Sequence, residues 1–136
     1  MLRSEILVVE DTLERRDAFR RNLQGLGFFI DFAETALEGI KEVRSRKFDA
    51  IFLDCDLSDR DLSGEDVACC FFGSTNRYTS VWVHSWNPEG AASMVGTLKD
   101  LGVPVVRREF QDTEDFWQEV KSWLGVIGNE QQQATS

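Results

Sequence analysis

The sequence predicts a three-layer α/β domain, a (βα)5 doubly wound parallel sheet in the order 2-1-3-4-5. Two observations predict it: five short apolar runs alternate with stretches of helical periodicity, and two of the runs end in carboxylates. Runs of four to six residues without internal polar alternation are what strands covered on both faces require.

The first run, Glu5 to Val9, ends in Glu10-Asp11-Thr12. Leu13, Phe19, Leu23 and Leu26 then follow at helical spacing, Asp11 and Glu14 have the spacing of a capping box, and Gly27 supplies a stop. Phe28 to Ala33 reads as the second strand. Leu37, Ile40 and Val43 mark the second helix, which closes on the basic Arg44-Ser45-Arg46-Lys47 segment, suited to the negative end of the helix dipole. Phe48 to Leu53 is the third strand, with Asp54 at its carboxyl end. An acidic loop leads to Gly64, and a third helix extends to about Phe72 with Val67, Cys70 and Phe71 turned inward. Gly73 to Thr79 is a loop, and Ser80 to His84 is the fourth strand. Asn87 and Pro88 form an N-cap and first helical residue, and Gly102 ends that helix. Val103 to Val106 is the fifth strand. Thr113 opens a last helix whose Phe116, Val120, Trp123 and Leu124 form one apolar stripe. The domain is expected over residues 1–127, with 128–136, rich in glutamine, as a disordered tail.

Composition narrows the function. A formal charge of −9, from 24 acidic and 15 basic residues, disfavours a nucleic-acid partner, because such binding depends on clustered cations neutralising phosphates. No leader-like or membrane-spanning apolar run is present, so the expected location is cytoplasmic, with no membrane partner. Cys55, Cys69 and Cys70 cannot all pair within one chain and are read as reduced thiols packed as small hydrophobes. Trp82, Trp117 and Trp123 fall on apolar stripes and are assigned to packing.

In a doubly wound sheet ligands bind beyond the carboxyl ends of the strands. Strands one and three are neighbours in the expected order, so Glu10, Asp11 and Asp54 converge there. Like charges this close raise one another's pKa or recruit a cation, and hard oxygen ligands suit Mg²⁺ or Mn²⁺. A carboxylate beside such an ion can attack a phosphoryl group while nearby donors hold the equatorial oxygens. Ser85, Arg107 and Arg108 end strands four and five and are placed to donate. A calcium loop starting at Asp54 is disfavoured, because its sixth position is Asp59 where glycine is needed.

These residues resemble the response-regulator receiver superfamily over about Ile6 to Leu124. The likeness rests on ILVVEDT, on FDAIFLDCDL followed by LSGEDV, and on the spacing to VWVHS and VVRREF. It implies a flavodoxin-like fold and a stand-alone receiver in phosphorelay signalling. Glu10, Asp11, Asp54 and the backbone carbonyl of Cys55 would hold Mg²⁺ (or Mn²⁺), Asp54 would be the phosphoacceptor, and Ser85 would contact the phosphoryl group. Aligned on Phe110, Arg108 takes the place of the family's lysine, offering a planar fork instead of a point charge. Trp86 stands where a small residue is usual. The implied partners are a histidine kinase or a small phosphodonor, a downstream protein docking on the face of helix four, strand five and helix five, and a second copy in a homodimer.

The segment His84-Ser85-Trp86-Asn87-Pro88, with Asp54 and Asp56, also resembles a receiver subfamily proposed to process cyclic phosphates. That resemblance implies a phosphoesterase in which His84 acts on the substrate as acid or phosphate ligand. Strand alternation sends His84 and Ser85 to opposite sides, so only one of them should face the cleft. A third reading, a binding module that has lost phosphorylation, follows from the missing lysine.

Overall fold

The computed structural model describes the backbone of residues 4–135 and the side chains of 4–128. Its elements are β1 Ser4–Val9, α1 Leu13–Leu23, β2 Phe28–Ala33, α2 Ala36–Ser45, β3 Ala50–Leu53, α3 Gly64–Cys69, β4 Ser80–Val83, α4 Pro88–Asp100, β5 Val105–Arg107 and α5 Glu114–Thr135. The strands form one parallel sheet in the order β2-β1-β3-β4-β5, the expected flavodoxin-like arrangement.

Alternation along the central strands divides the core in two. Leu7, Val9, Ile51, Leu53, Val81 and Val83 face α2, α3 and α4, where they meet Val43, Val67, Met94 and Leu98. Ile6, Val8, Ala50, Phe52 and Trp82 face α1 and α5, where they meet Phe19, Phe116, Trp117, Val120 and Leu124. The second face is an aromatic stack: Phe19 meets Phe52 at 4.9 Å and Trp117 at 5.2 Å, and Trp82 meets Trp123 at 5.3 Å. Each such ring contributes about 1.5–3 kcal/mol by leaving water. The packing roles assigned to Trp82, Trp117 and Trp123 hold.

Several boundaries move for identifiable reasons. The first helix ends at Leu23 and tightens into a 3₁₀ turn, Gln24–Leu26, before Gly27 at φ 84°. Its cap is Thr12, and the Asp11–Glu14 capping box does not form; the Glu10 carboxylate takes the Thr12 N–H instead. The third strand begins at Ala50 because the Phe48 N–H is held by the buried Asn76 side chain. The third helix stops at Cys69, and Cys69 is exposed where a packed thiol was expected. The fifth strand starts at Val105 because Pro104 has no N–H to give a ladder. The expected tail is helical through Thr135: Glu, Gln and Ala are good helix formers, and Gly128 alone costs about 1 kcal/mol. No helix among the described residues is long and apolar enough to cross a membrane.

Candidate functional site

Register builds the site. Val8, Phe52 and Trp82 lie side by side in β1, β3 and β4 on the α1/α5 face. Two residues further along each chain, period-two alternation returns to that face. The residues there are Glu10, Asp54 and His84, each buried. The hydrophobic row is thus continued, just past the strand ends, by a row of three ionisable groups. One ligand atom from each lies within 4.8 Å of the others.

His84 Nε2 is 2.9 Å from Glu10 Oε1, its ring lies edge-on to Phe19 at 5.5 Å, and its Nδ1 is buried with no partner. The Glu10 carboxylate also accepts the Thr12 N–H at 3.0 Å, while Asp54 Oδ1 accepts the Cys55 N–H at 2.8 Å. Burial alone would raise the pKa of Glu10. The hydrogen bond and charge of His84, the Thr12 N–H and the Arg15 charge outweigh it and hold the group at about 2. Asp54 goes the other way: burial and the Glu10 charge raise its pKa against the pull of His84, the Cys55 N–H and Arg15. Asp11 is raised too, chiefly by burial and by the Glu10 carboxyl beside it. Asp11 Oδ2 accepts the Ser58 hydroxyl at 3.3 Å.

The row opens on a cleft of about 250 Å³ lined by Asp11, Thr12, Arg15, Asp54, Asp56 and Trp86. Its floor is fixed by close packing. A Cβ on Gly64 would lie 2.0 Å from the Asp54 carbonyl oxygen, and one on Gly90 2.3 Å from Cys55 Sγ. The loop after Asp54 is also tied to α2 through Asp59, which accepts the Ala36 and Leu37 N–H groups. That residue, at the failing position of the calcium-loop pattern, is a helix cap.

The sequence-derived site divides accordingly. Glu10 and Asp54 come together and His84 joins them, while Asp11, expected as a further metal ligand, stands outside that group and lines the cleft instead. Ser85 is turned into its own loop, its hydroxyl accepting the Asn87 N–H at 3.1 Å. The Cys55 carbonyl accepts the Gly64 N–H at 2.9 Å, so this oxygen is engaged in holding the loop. Arg108 does not reach the cleft: it pairs with Glu119, bonds Gln111 and lies over the Phe116 ring. Arg107 is exposed and reaches the Pro88 carbonyl.

The cation of the site comes from elsewhere. Arg15, in the first turn of α1, places Nη1 3.4 Å from Glu10 Oε1 and 3.5 Å from Asp54 Oδ2. Its guanidinium carbon is 4.8 Å from the Trp86 ring and 5.4 Å from Phe110, and Trp86 is fixed by an Nε1–H bond to the Phe110 carbonyl at 2.6 Å. Arg16 beside it donates to the Glu10 carbonyl at 3.2 Å. Sequence reading missed Arg15. The only signal was two arginines at the helix end where cations are electrostatically unfavourable.

With donor atoms within 4.8 Å of one another, Glu10, Asp54 and His84 are the residues that would hold a divalent ion. The donor set fits: two carboxylates and an imidazole, one carboxylate already strained by its neighbour's charge. An imidazole ligand favours Mn²⁺ over Mg²⁺, which prefers oxygen alone.

Fold and site define a receiver-type domain, a doubly wound sheet with an acidic cleft at the β1 and β3 ends. The chain belongs to the family described as the cyclic-phosphate processing receiver domain, whose model matches residues 6–100. Comparison with curated proteins finds no match. Among solved structures, the chain is similar to the receiver domain of a sensor histidine kinase from Pseudomonas aeruginosa, described with a magnesium ion in its active-site cleft, at 20% identity and TM-score 0.67 over 91% of this chain and 99% of that one. It is similar as well to a CheY-like receiver from Methanospirillum hungatei (18%, TM-score 0.66, 95% and 99%) and to the receiver domain of a LuxO-type repressor from Vibrio parahaemolyticus (22%, TM-score 0.68, 96% and 96%). At these identities the likeness is one of fold.

Proposed function

We propose that this chain is a metal-dependent hydrolase of cyclic phosphates, cytoplasmic, with the metal held by Glu10, Asp54 and His84. The observation that carries the reading is the cross-strand row itself: a histidine stands beside the two carboxylates, while Arg108, just past β5 and in the place of the receiver lysine, points away. A bound Mn²⁺ or Mg²⁺ would supply Lewis acidity and an activated water. His84 is fully buried and absent from the cleft lining, so its part is to ligate or to orient Glu10, and it does not hand a proton to the substrate. Proton handling falls to Asp11, which lines the cleft with a raised pKa. Trp86 supplies an apolar wall over the opening.

The test is incubation with Mn²⁺ and a cyclic nucleotide, following the phosphomonoester by ³¹P NMR. Turnover abolished in Asp54→Asn is expected, and no monoester above the metal blank sinks the reading.

A second reading, phosphoryl acceptance at Asp54 from a histidine kinase or small phosphodonor, is favoured by one observation: Asp54, unlike Glu10 and His84, lines the cleft. Readout would then pass to a downstream protein or a second copy across the α4-β5-α5 face. Acetyl phosphate followed by intact-mass measurement distinguishes it, through gain of one phosphoryl group lost in Asp54→Asn.

A further inference from the structure

We propose that Arg15 is the phosphate-binding cation of this cleft, released to the phosphate when a divalent ion takes its place between Glu10 and Asp54. The inference rests on the metal-dependent phosphate chemistry proposed above and adds to it a residue outside the strand-end positions where such a cation is sought.

Four observations carry it. First, the single nitrogen Nη1 lies 3.4 Å from Glu10 and 3.5 Å from Asp54, bridging two of the three groups that would hold the ion. A metal there and this guanidinium cannot both occupy the gap between those oxygens. Second, the other arginines near the site are engaged elsewhere: Arg108 is paired with Glu119, Arg107 reaches the Pro88 carbonyl, and Arg16 is spent on the Glu10 carbonyl and Glu34. Third, Arg15 sits in the first turn of α1, where a positive charge opposes the helix dipole. Its place is explained by the acids it faces and not by the helix that carries it. Fourth, the guanidinium lies against Trp86 and Phe110, and Trp86 is itself anchored by its N–H. Stacking keeps the planar group at the cleft wall once its carboxylate partners are taken by a metal, with its donors turned to the opening. A guanidinium fork then matches two oxygens of a phosphate.

The experiment titrates the whole chain with Mn²⁺ alone, then with inorganic phosphate in the presence of saturating Mn²⁺, by calorimetry and by tryptophan fluorescence. Trp86→Phe serves to isolate the signal of that indole. Wild type should take up Mn²⁺ with a change in the Trp86 signal, because the stacked cation shifts, and should then bind phosphate. Arg15→Gln should bind Mn²⁺ a few-fold more tightly, having lost a competitor, and phosphate about tenfold or more weakly. Arg15→Lys should recover part of the phosphate affinity. If wild type binds both ligands and Arg15→Gln binds phosphate equally well, Arg15 is only a structural partner and this inference alone falls. If wild type binds neither, the metal reading and the inference fall together. Thermal unfolding of Arg15→Gln within a few degrees of wild type shows that a lost affinity is not lost folding.

Discussion

At the residue scale the site is a set of opposing pKa shifts, and these make the first predictions. Asp54 is raised because burial and the Glu10 charge disfavour its anion, so its charge destabilises the folded state at neutral pH. Asp54→Asn removes that charge and can still accept the Cys55 N–H. We expect it to unfold about 3 °C higher than wild type while losing metal uptake, a gain of roughly 1 kcal/mol; unchanged or lower stability in a thermal scan would contradict the electrostatic account. Arg108→Gln is expected to leave Mn²⁺ and phosphate affinities unchanged, since its partners are Glu119 and Gln111, and to cost no more than about 1 kcal/mol, as a partly exposed pair does. Calorimetry on that variant checks the reassignment of the cation. The residue scale is also where sequence was least informative. Arg15 and Arg108 are both arginines near strand or helix ends, and only backbone direction decides that one enters the cleft and the other lies on α5.

At the element scale the site depends on close approach. Gly64 opens α3 against the Asp54 carbonyl, and Gly90 lies in the first turn of α4 against Cys55. Any Cβ at Gly64 meets backbone, which cannot rotate aside, so Gly64→Ala must push the Asp54 loop or the start of α3. We expect a loss of at least about 2 kcal/mol in urea unfolding and a weakened metal site, whereas Gly96→Ala, at an exposed position inside α4 where a Cβ would meet open space, should gain up to about 1 kcal/mol from helix propensity. Equal effects of the two substitutions would refute the packing argument. Most elements were legible because each strand is a short apolar run; of the caps, Asn87 is readable and accepts the Gly90 N–H, whereas Thr35 and Ser63, which cap α2 and α3, are not among those the sequence pattern singles out. The ends that moved did so through non-local bonds, such as Asn76 holding the Phe48 N–H, which no local pattern encodes.

At the scale of the whole molecule, the sheet order makes function readable from sequence. Placing β1 beside β3 and β3 beside β4 brings residues 10, 54 and 84 into one row. The convergence of Glu10 and Asp54 follows from that order alone; the membership of His84 follows from counting alternation from Trp82, while the strand argument left open whether His84 or Ser85 would face the acids. The row also sets how stability depends on pH. Glu10 is depressed from 4.5 to about 2, so its contribution is present above pH 4.5 and is lost as pH falls through that interval toward 2. Asp54 has the opposite sign, because the folded state binds its proton more readily and gains stability as the group protonates. Urea midpoints measured between pH 5 and pH 2.5 should therefore fall less steeply in Glu10→Gln than in wild type, and more steeply in Asp54→Asn.

The row of Glu10, Asp54 and His84 as one divalent-ion site is the claim on which the functional account turns, and Mn²⁺ calorimetry tests it most directly. One ion per chain is expected, with affinity reduced at least tenfold in each of Glu10→Gln, Asp54→Asn and His84→Ala. Absence of Mn²⁺ uptake by the wild-type chain, or full affinity retained in His84→Ala, would contradict it.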